Sequence, residues 1–101
     1  MTPTDADIRS AFEAHKATFM PRSCEGKEID GVDLILLDAD AAGCVSDFLA
    51  SGMQLEEDRW EILLACAGQL RTVVPHLQGE ERAYFERLRG LVDAVAARHG
   101  G

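Results

Sequence analysis

Apolar residues recur at intervals of three and four positions along most of this chain of 101 residues. The clearest series is Trp60, Leu63, Ala67, Leu70, Val74 and Leu77. A second series runs through Tyr84 or Phe85, Leu88, Leu91 or Val92, and Val95. This spacing places apolar side chains along one face of an α-helix, so it predicts two amphipathic helices, the first of which ends or kinks near Pro75.

A helix is also expected near the start of the chain. Thr4 is a favourable N-cap, and Asp7 stands three residues later, where a capping box needs an acceptor. Four residues follow at helical spacing, namely Ile8, Phe12, His15 and Phe19. Pro21 cannot continue a helix, so we expect this one to end before it and a loop to follow.

Residues 31–52 allow two interpretations. Leu34, Leu37, Ala41, Cys44 or Val45, and Phe48 share one helical stripe. In this interpretation a helix begins after Asp30 or Asp33 and is closed by Gly52. Alternatively, residues 32–37 form a short buried strand, because a compact apolar run does not distinguish strand from helix. The abundance of leucine and alanine favours the helix.

Four amphipathic helices with short connections predict an all-α fold, a small antiparallel bundle formed by residues 1–101 as one domain. The alternative is an α+β or α/β fold with a strand at residues 32–37. Ile35, Leu36 and Ala39 lie beside the main stripe of the second helix. These surplus apolar residues either seal a homodimer or mark that helix as the central one.

Acidic charge is concentrated in the middle of the chain. Of a net charge of −8, residues 28–58 contribute nine acidic side chains and no lysine or arginine. A surface of this sign repels nucleic-acid phosphates and anionic lipid, and it attracts basic proteins or cations. We therefore expect a protein partner or self-association, and neither nucleic acid nor a membrane as a partner.

The location expected for the protein is the cytoplasm. The three cysteines form no CxxC pair, and no apolar secretory segment opens the sequence. The purely apolar runs are only a few residues long, whereas crossing a bilayer takes roughly 20.

Two fragments of the second helix resemble known motifs. DLILLDADAAG resembles the strand and turn of bacterial receiver domains, and that resemblance implies Asp38 as the phosphate acceptor. The other acidic and lysine positions of that fold are missing. DADAAGCVSDFL resembles an EF-hand calcium loop beginning with Asp38 and Asp40, but Ala42 and Leu49 replace two of its oxygen ligands.

The cysteines supply the remaining candidate positions. Cys44 and Cys66 are expected on neighbouring helices, where they act as small apolar core residues or as a thiol pair or soft-metal site. Cys24 lies in a loop near Arg22 and Lys27, whose positive charge favours a thiolate if the thiol is exposed.

No complete catalytic, nucleotide or metal motif occurs, so no enzymatic activity and no cofactor is expected. The sequence favours a small acidic module for protein interaction or assembly. The alternatives are a thiol- or metal-binding protein that uses Cys44 and Cys66, and an inhibitor or immunity-type protein that masks a basic partner.

Overall fold

The computed structural model describes residues 3–100. Within that range the chain forms four α-helices and a two-stranded antiparallel hairpin. In chain order these are α1 (Asp5–Lys16), β1 (Glu28–Ile29), β2 (Val32–Asp33), α2 (Leu34–Ala50), α3 (Glu57–Val73) and α4 (Gly79–Gly100). The helices pack against one another around one apolar core, which confirms the predicted small helical bundle.

Side-chain caps fix the starts of α1 and α2. Thr4 Oγ1 accepts a hydrogen bond from the Asp7 backbone N–H at 3.1 Å, and the Asp7 carboxylate accepts one from Thr4 N–H at 3.0 Å. This confirms the predicted capping box. Asp33 Oδ1 accepts from the N–H groups of Ile35 and Leu36, at 2.9 and 3.1 Å. Asp33 is therefore the residue that starts α2.

The contested segment is almost entirely helical. The strand within it is limited to Val32–Asp33, which pairs with Glu28–Ile29. Asp30 and Gly31 form the turn between them with φ values of 50° and 79°. Two successive positive φ values are typical of the tight turns that join twisted strands, and Asp-Gly is a favoured sequence for them. The helix interpretation of residues 31–52 is thus confirmed from Leu34 to Ala50.

The first helix ends before Pro21, as predicted, but the assignment of Phe19 to its apolar stripe is wrong. α1 ends at Lys16, so Phe19 lies beyond it, and Phe19 is 94% exposed rather than part of the buried stripe. Thr18 N–H donates to the carbonyl of His15 at 3.1 Å, which tightens the last turn. Because a residue before proline avoids helical angles, Met20 cannot extend the helix to Pro21.

The two stripes predicted for the second half of the chain form much of the core. Leu63, Leu70 and Phe85 are buried, and Trp60 is half-buried at the start of α3. A 3₁₀ turn at Val74–His76 follows α3 directly, so Pro75 ends the α-helix without a long loop. No helix within residues 3–100 combines the length and apolar character needed to span a membrane.

Candidate functional site

Two candidate aspartates, Asp38 and Asp40, lie on opposite sides of α2. Residues two positions apart in an α-helix differ by a rotation of about 200° around its axis. Asp38 faces the bundle, where its side chain is only 21% exposed, whereas Asp40 is exposed on the outer side of α2. The two carboxylates that resembled parts of a single site therefore belong to different environments.

Neither motif resemblance has the backbone that it requires. Residues 34–50 are one continuous helix, so Asp38 does not follow a strand as a receiver phosphate acceptor does. The same helix contains the whole fragment that resembled an EF-hand, and a helix cannot wrap its side chains around one cation as that loop does.

Asp38 instead belongs to a polar cluster that joins three helices. Its Oδ1 atom lies 3.1 Å from His15 Nε2 of α1 and accepts a hydrogen bond at 3.0 Å from the hydroxyl of Tyr84 in α4. The His15 and Tyr84 rings also contact each other, with centroids 4.8 Å apart. Both rings are buried. We call these three residues the polar cluster.

The contacts of the polar cluster link α1, α2 and α4, which is a structural role. A carboxylate only accepts hydrogen bonds, so Nε2 of His15 carries a proton and donates it to Asp38 Oδ1. Nδ1 is buried and has no hydrogen-bond partner among residues 3–100. Burial, together with the neighbouring Asp38 charge, raises the pKa of Tyr84. Tyr84 therefore remains a hydrogen-bond donor throughout the neutral pH range.

Cys24 is not an exposed thiol. Its side chain is buried, and its Sγ atom lies 3.8 Å from Oε2 of Glu81. Lys27, which was expected to favour the thiolate, pairs instead with Glu81 at 2.8 Å. Burial and the Glu81 charge raise the pKa of Cys24. This environment favours the neutral thiol, whereas a reactive cysteine needs a lowered pKa.

Cys44 and Cys66 lie in the core, on the packed helices α2 and α3. Burial raises the pKa of Cys44 and raises that of Cys66 to about 11. Cys44 Sγ lies 3.7 Å from the carbonyl oxygen of Arg59, as expected for a weak thiol donor. No group of three or more His, Cys, Asp or Glu residues within the described range is placed to hold a metal ion. Burial and a raised pKa are the environment expected of a cysteine that packs as a small apolar side chain.

The outer side of α2 contains a different kind of site. An open cleft of about 450 Å³ lies where the hairpin, α2 and α3 meet. Eight residues line it, namely Glu28, Gly31, Val32, Asp33, Leu36, Leu37, Asp40 and Gln69. We call it the α2 cleft. It brings together acidic groups from the hairpin and from α2, with apolar side chains between them.

Apolar side chains are exposed on the outer side of α2, and one of them, Leu36, lines this cleft. Leu36 is 61% exposed and Ile35 is 43% exposed, and Ala39 one turn further along α2 is exposed too. The surplus apolar residues of α2 therefore face outward, which excludes a fully enclosed central helix. Exposed leucine and isoleucine side chains side by side are a feature of interaction surfaces.

The acidic side chains of the α2 cleft have no cationic partner in the part of the chain that the structure describes. Within residues 3–100, neither Glu28 nor Asp40 forms an ion pair. The basic residues that flank the acidic segment are engaged elsewhere, Lys27 with Glu81 and Arg59 with Asp47 at 2.9 Å. The cleft consequently combines negative charge with accessible apolar surface.

The sequence analysis missed His15 and Tyr84 as partners of Asp38, and it missed Glu28 and Gln69 as parts of the α2 cleft. A local signal existed only for the hairpin that places Glu28, namely the Asp30-Gly31 dipeptide. Comparisons of this chain with known proteins find no matching family, no similar curated protein and no similar solved structure.

Proposed function

We propose that this chain is a small acidic protein-interaction module whose outer α2 face binds a partner segment that carries both positive charge and apolar side chains. The observation that carries the proposal is the exposure of Leu36 in a cleft that it shares with Glu28 and Asp40, whose carboxylates form no ion pair within residues 3–100. Apolar contact supplies affinity, and charge complementarity supplies orientation and the choice of partner.

A basic partner fits this face better than a second copy of the chain does. The face belongs to residues 28–58, which contain no lysine or arginine. A symmetric dimer would place this patch against itself, and the like charges would repel one another. An inhibitor that masks a basic protein is one form of the proposed function, because the recognition chemistry is the same.

A thiol- or metal-dependent function has less support. The pKa of Cys66 is raised to about 11, and Cys44 is likewise buried, so neither side chain is prepared to act as a thiolate.

Isothermal titration calorimetry with three synthetic peptides tests the proposal. The first alternates lysine with leucine, the second replaces leucine with serine, and the third replaces lysine with glutamate. We expect the lysine–leucine peptide to bind best, and we expect its affinity to fall as sodium chloride rises from about 50 to about 500 mM, because salt screens charge pairs at a surface.

Each control peptide isolates one part of the proposal. The lysine–serine peptide keeps the charge and loses the apolar contact, so it should bind more weakly, and the glutamate–leucine peptide should not bind. Equal affinity for the lysine–leucine and glutamate–leucine peptides, or no binding of either, would overturn the proposal. Sedimentation measurements that showed a concentration-dependent dimer lost on Leu36→Asp substitution would favour a second copy as the occupant.

A further inference from the structure

We infer that the α2 cleft is the docking point of one lysine or arginine side chain of the partner, while an apolar neighbour of that residue packs on Leu36. This inference rests on the proposed function and assigns its contact to particular residues. It derives from the shape of the cleft, the positions of its carboxylates and the surface that surrounds it.

The lining of the cleft suits a long cationic side chain. Val32 and Leu36 supply an apolar surface for the aliphatic stem. Lysine and arginine bury such stems along apolar surface while keeping the charged group near polar partners.

The carboxylates are spread around the cleft rather than gathered at one point. Glu28 comes from β1, Asp33 from the start of α2, and Asp40 from the second turn of α2. In the part of the chain that the structure describes, no three acidic, histidine or cysteine side chains are close enough to share a metal ion. A lysine or arginine side chain needs only one of these carboxylates as a hydrogen-bond acceptor, whereas a divalent cation needs several oxygen ligands around one point.

The remaining polar groups around the cleft are compatible with such an occupant. Asp33 Oδ1 accepts hydrogen bonds from two backbone N–H groups of α2. Gln69 reaches the cleft from α3 and offers an amide oxygen as a further acceptor. The exposed His76–Asp30 pair, 3.6 Å apart, lies at the hairpin turn outside the residues that line the cleft.

Matched variants of the full chain test the inference with the lysine–leucine peptide. The cleft variant carries Glu28→Gln and Asp40→Asn. The control variant carries Glu57→Gln and Glu61→Gln, which remove the same charge from exposed positions of α3 that do not line the cleft. By helical rise, Glu61 lies about 12 Å along α3 from Gln69. A third variant, Leu36→Ala, removes the apolar contact.

We expect affinity to fall roughly 10-fold in the cleft variant and roughly 10-fold in Leu36→Ala, but less than about 2-fold in the control. All the substituted side chains are exposed, so circular dichroism should show unchanged folding. Equal losses in the cleft and control variants would overturn the inference and leave the proposed function standing, since binding would then depend on diffuse charge. Failure of the unaltered chain to bind the peptide would overturn both.

Discussion

The first turns of α2 present two contrasting surfaces, one on each side of the helix. Leu37 and Asp38 face the bundle, where Leu37 is buried, although it also borders the α2 cleft, and Asp38 accepts a hydrogen bond from Tyr84 and contacts His15. Leu36 and Asp40 face solvent and line the α2 cleft. Each side thus offers one leucine and one aspartate. The difference teaches that residue type alone does not assign a role here, because the direction of the side chain decides whether it stabilises the fold or remains available to a partner.

The leucine pair should give the largest difference. Leu37→Ala leaves a cavity in the core, so we expect it to lower the free energy of unfolding by about 3 kcal/mol. Leu36→Ala removes mostly exposed surface and should change that free energy by less than about 0.5 kcal/mol. Urea unfolding followed by circular dichroism measures both values. Similar losses in the two variants would mean that α2 does not have distinct inner and outer faces.

The aspartate pair should show the next largest difference. Asp38→Ala leaves the Tyr84 hydroxyl and His15 Nε2–H without their acceptor, which should lower the free energy of unfolding by about 2 kcal/mol. The loss should not be larger, because water reaches the partly exposed Asp38 position. Asp40→Ala, the same change on the outer side, should stay within about 0.5 kcal/mol of the unaltered chain. Chemical unfolding of both variants under one set of conditions decides the matter, and equal stability would remove the structural role of the polar cluster.

The inner surface should also impose an alkaline limit on stability. The pKa of Tyr84 is raised from its ordinary value of 10.0, so the folded chain keeps the phenolic proton at pH values where the unfolded chain loses it. The stabilisation that comes from this retained proton is complete below pH 10. As pH rises towards the folded pKa, the free energy of unfolding falls by about 1.4 kcal/mol per pH unit.

Because Tyr84 is the one tyrosine of the chain, ultraviolet absorbance reports its ionisation alone. We expect the tyrosinate signal to appear together with unfolding rather than near pH 10, and we expect Tyr84→Phe to weaken the alkaline loss of stability. A folded protein whose tyrosine ionises near its ordinary pKa would show that Tyr84 is neither buried nor held by Asp38.

Local signals predicted most of the fold. The Thr4–Asp7 capping box, the Asp33 cap and the stripes of α3 and α4 all depend on residues within a few positions of one another. Phe19 was misplaced because its spacing fits a helix that the approach to Pro21 stops.

The site was harder to predict because its contacts join distant parts of the chain. Asp38 meets residues 23 positions before it and 46 positions after it. Helical spacing assigned the apolar stripe of α2, but it carried no information about which residues of α1 and α4 would face Asp38. The sequence did show that Leu36 is one of several surplus apolar residues on α2. A homodimer and a central helix explained these residues equally well, so the sequence did not decide whether Leu36 faces outward.

The central claim is that α2 has an inner structural surface and an outer binding surface. Its most direct test is to measure peptide affinity in the two aspartate variants, Asp38→Ala and Asp40→Ala. At a temperature where both are folded, calorimetry with the lysine–leucine peptide should show affinity about 3-fold lower in Asp40→Ala and unchanged in Asp38→Ala. Unchanged affinity in Asp40→Ala together with a loss in Asp38→Ala would contradict the account.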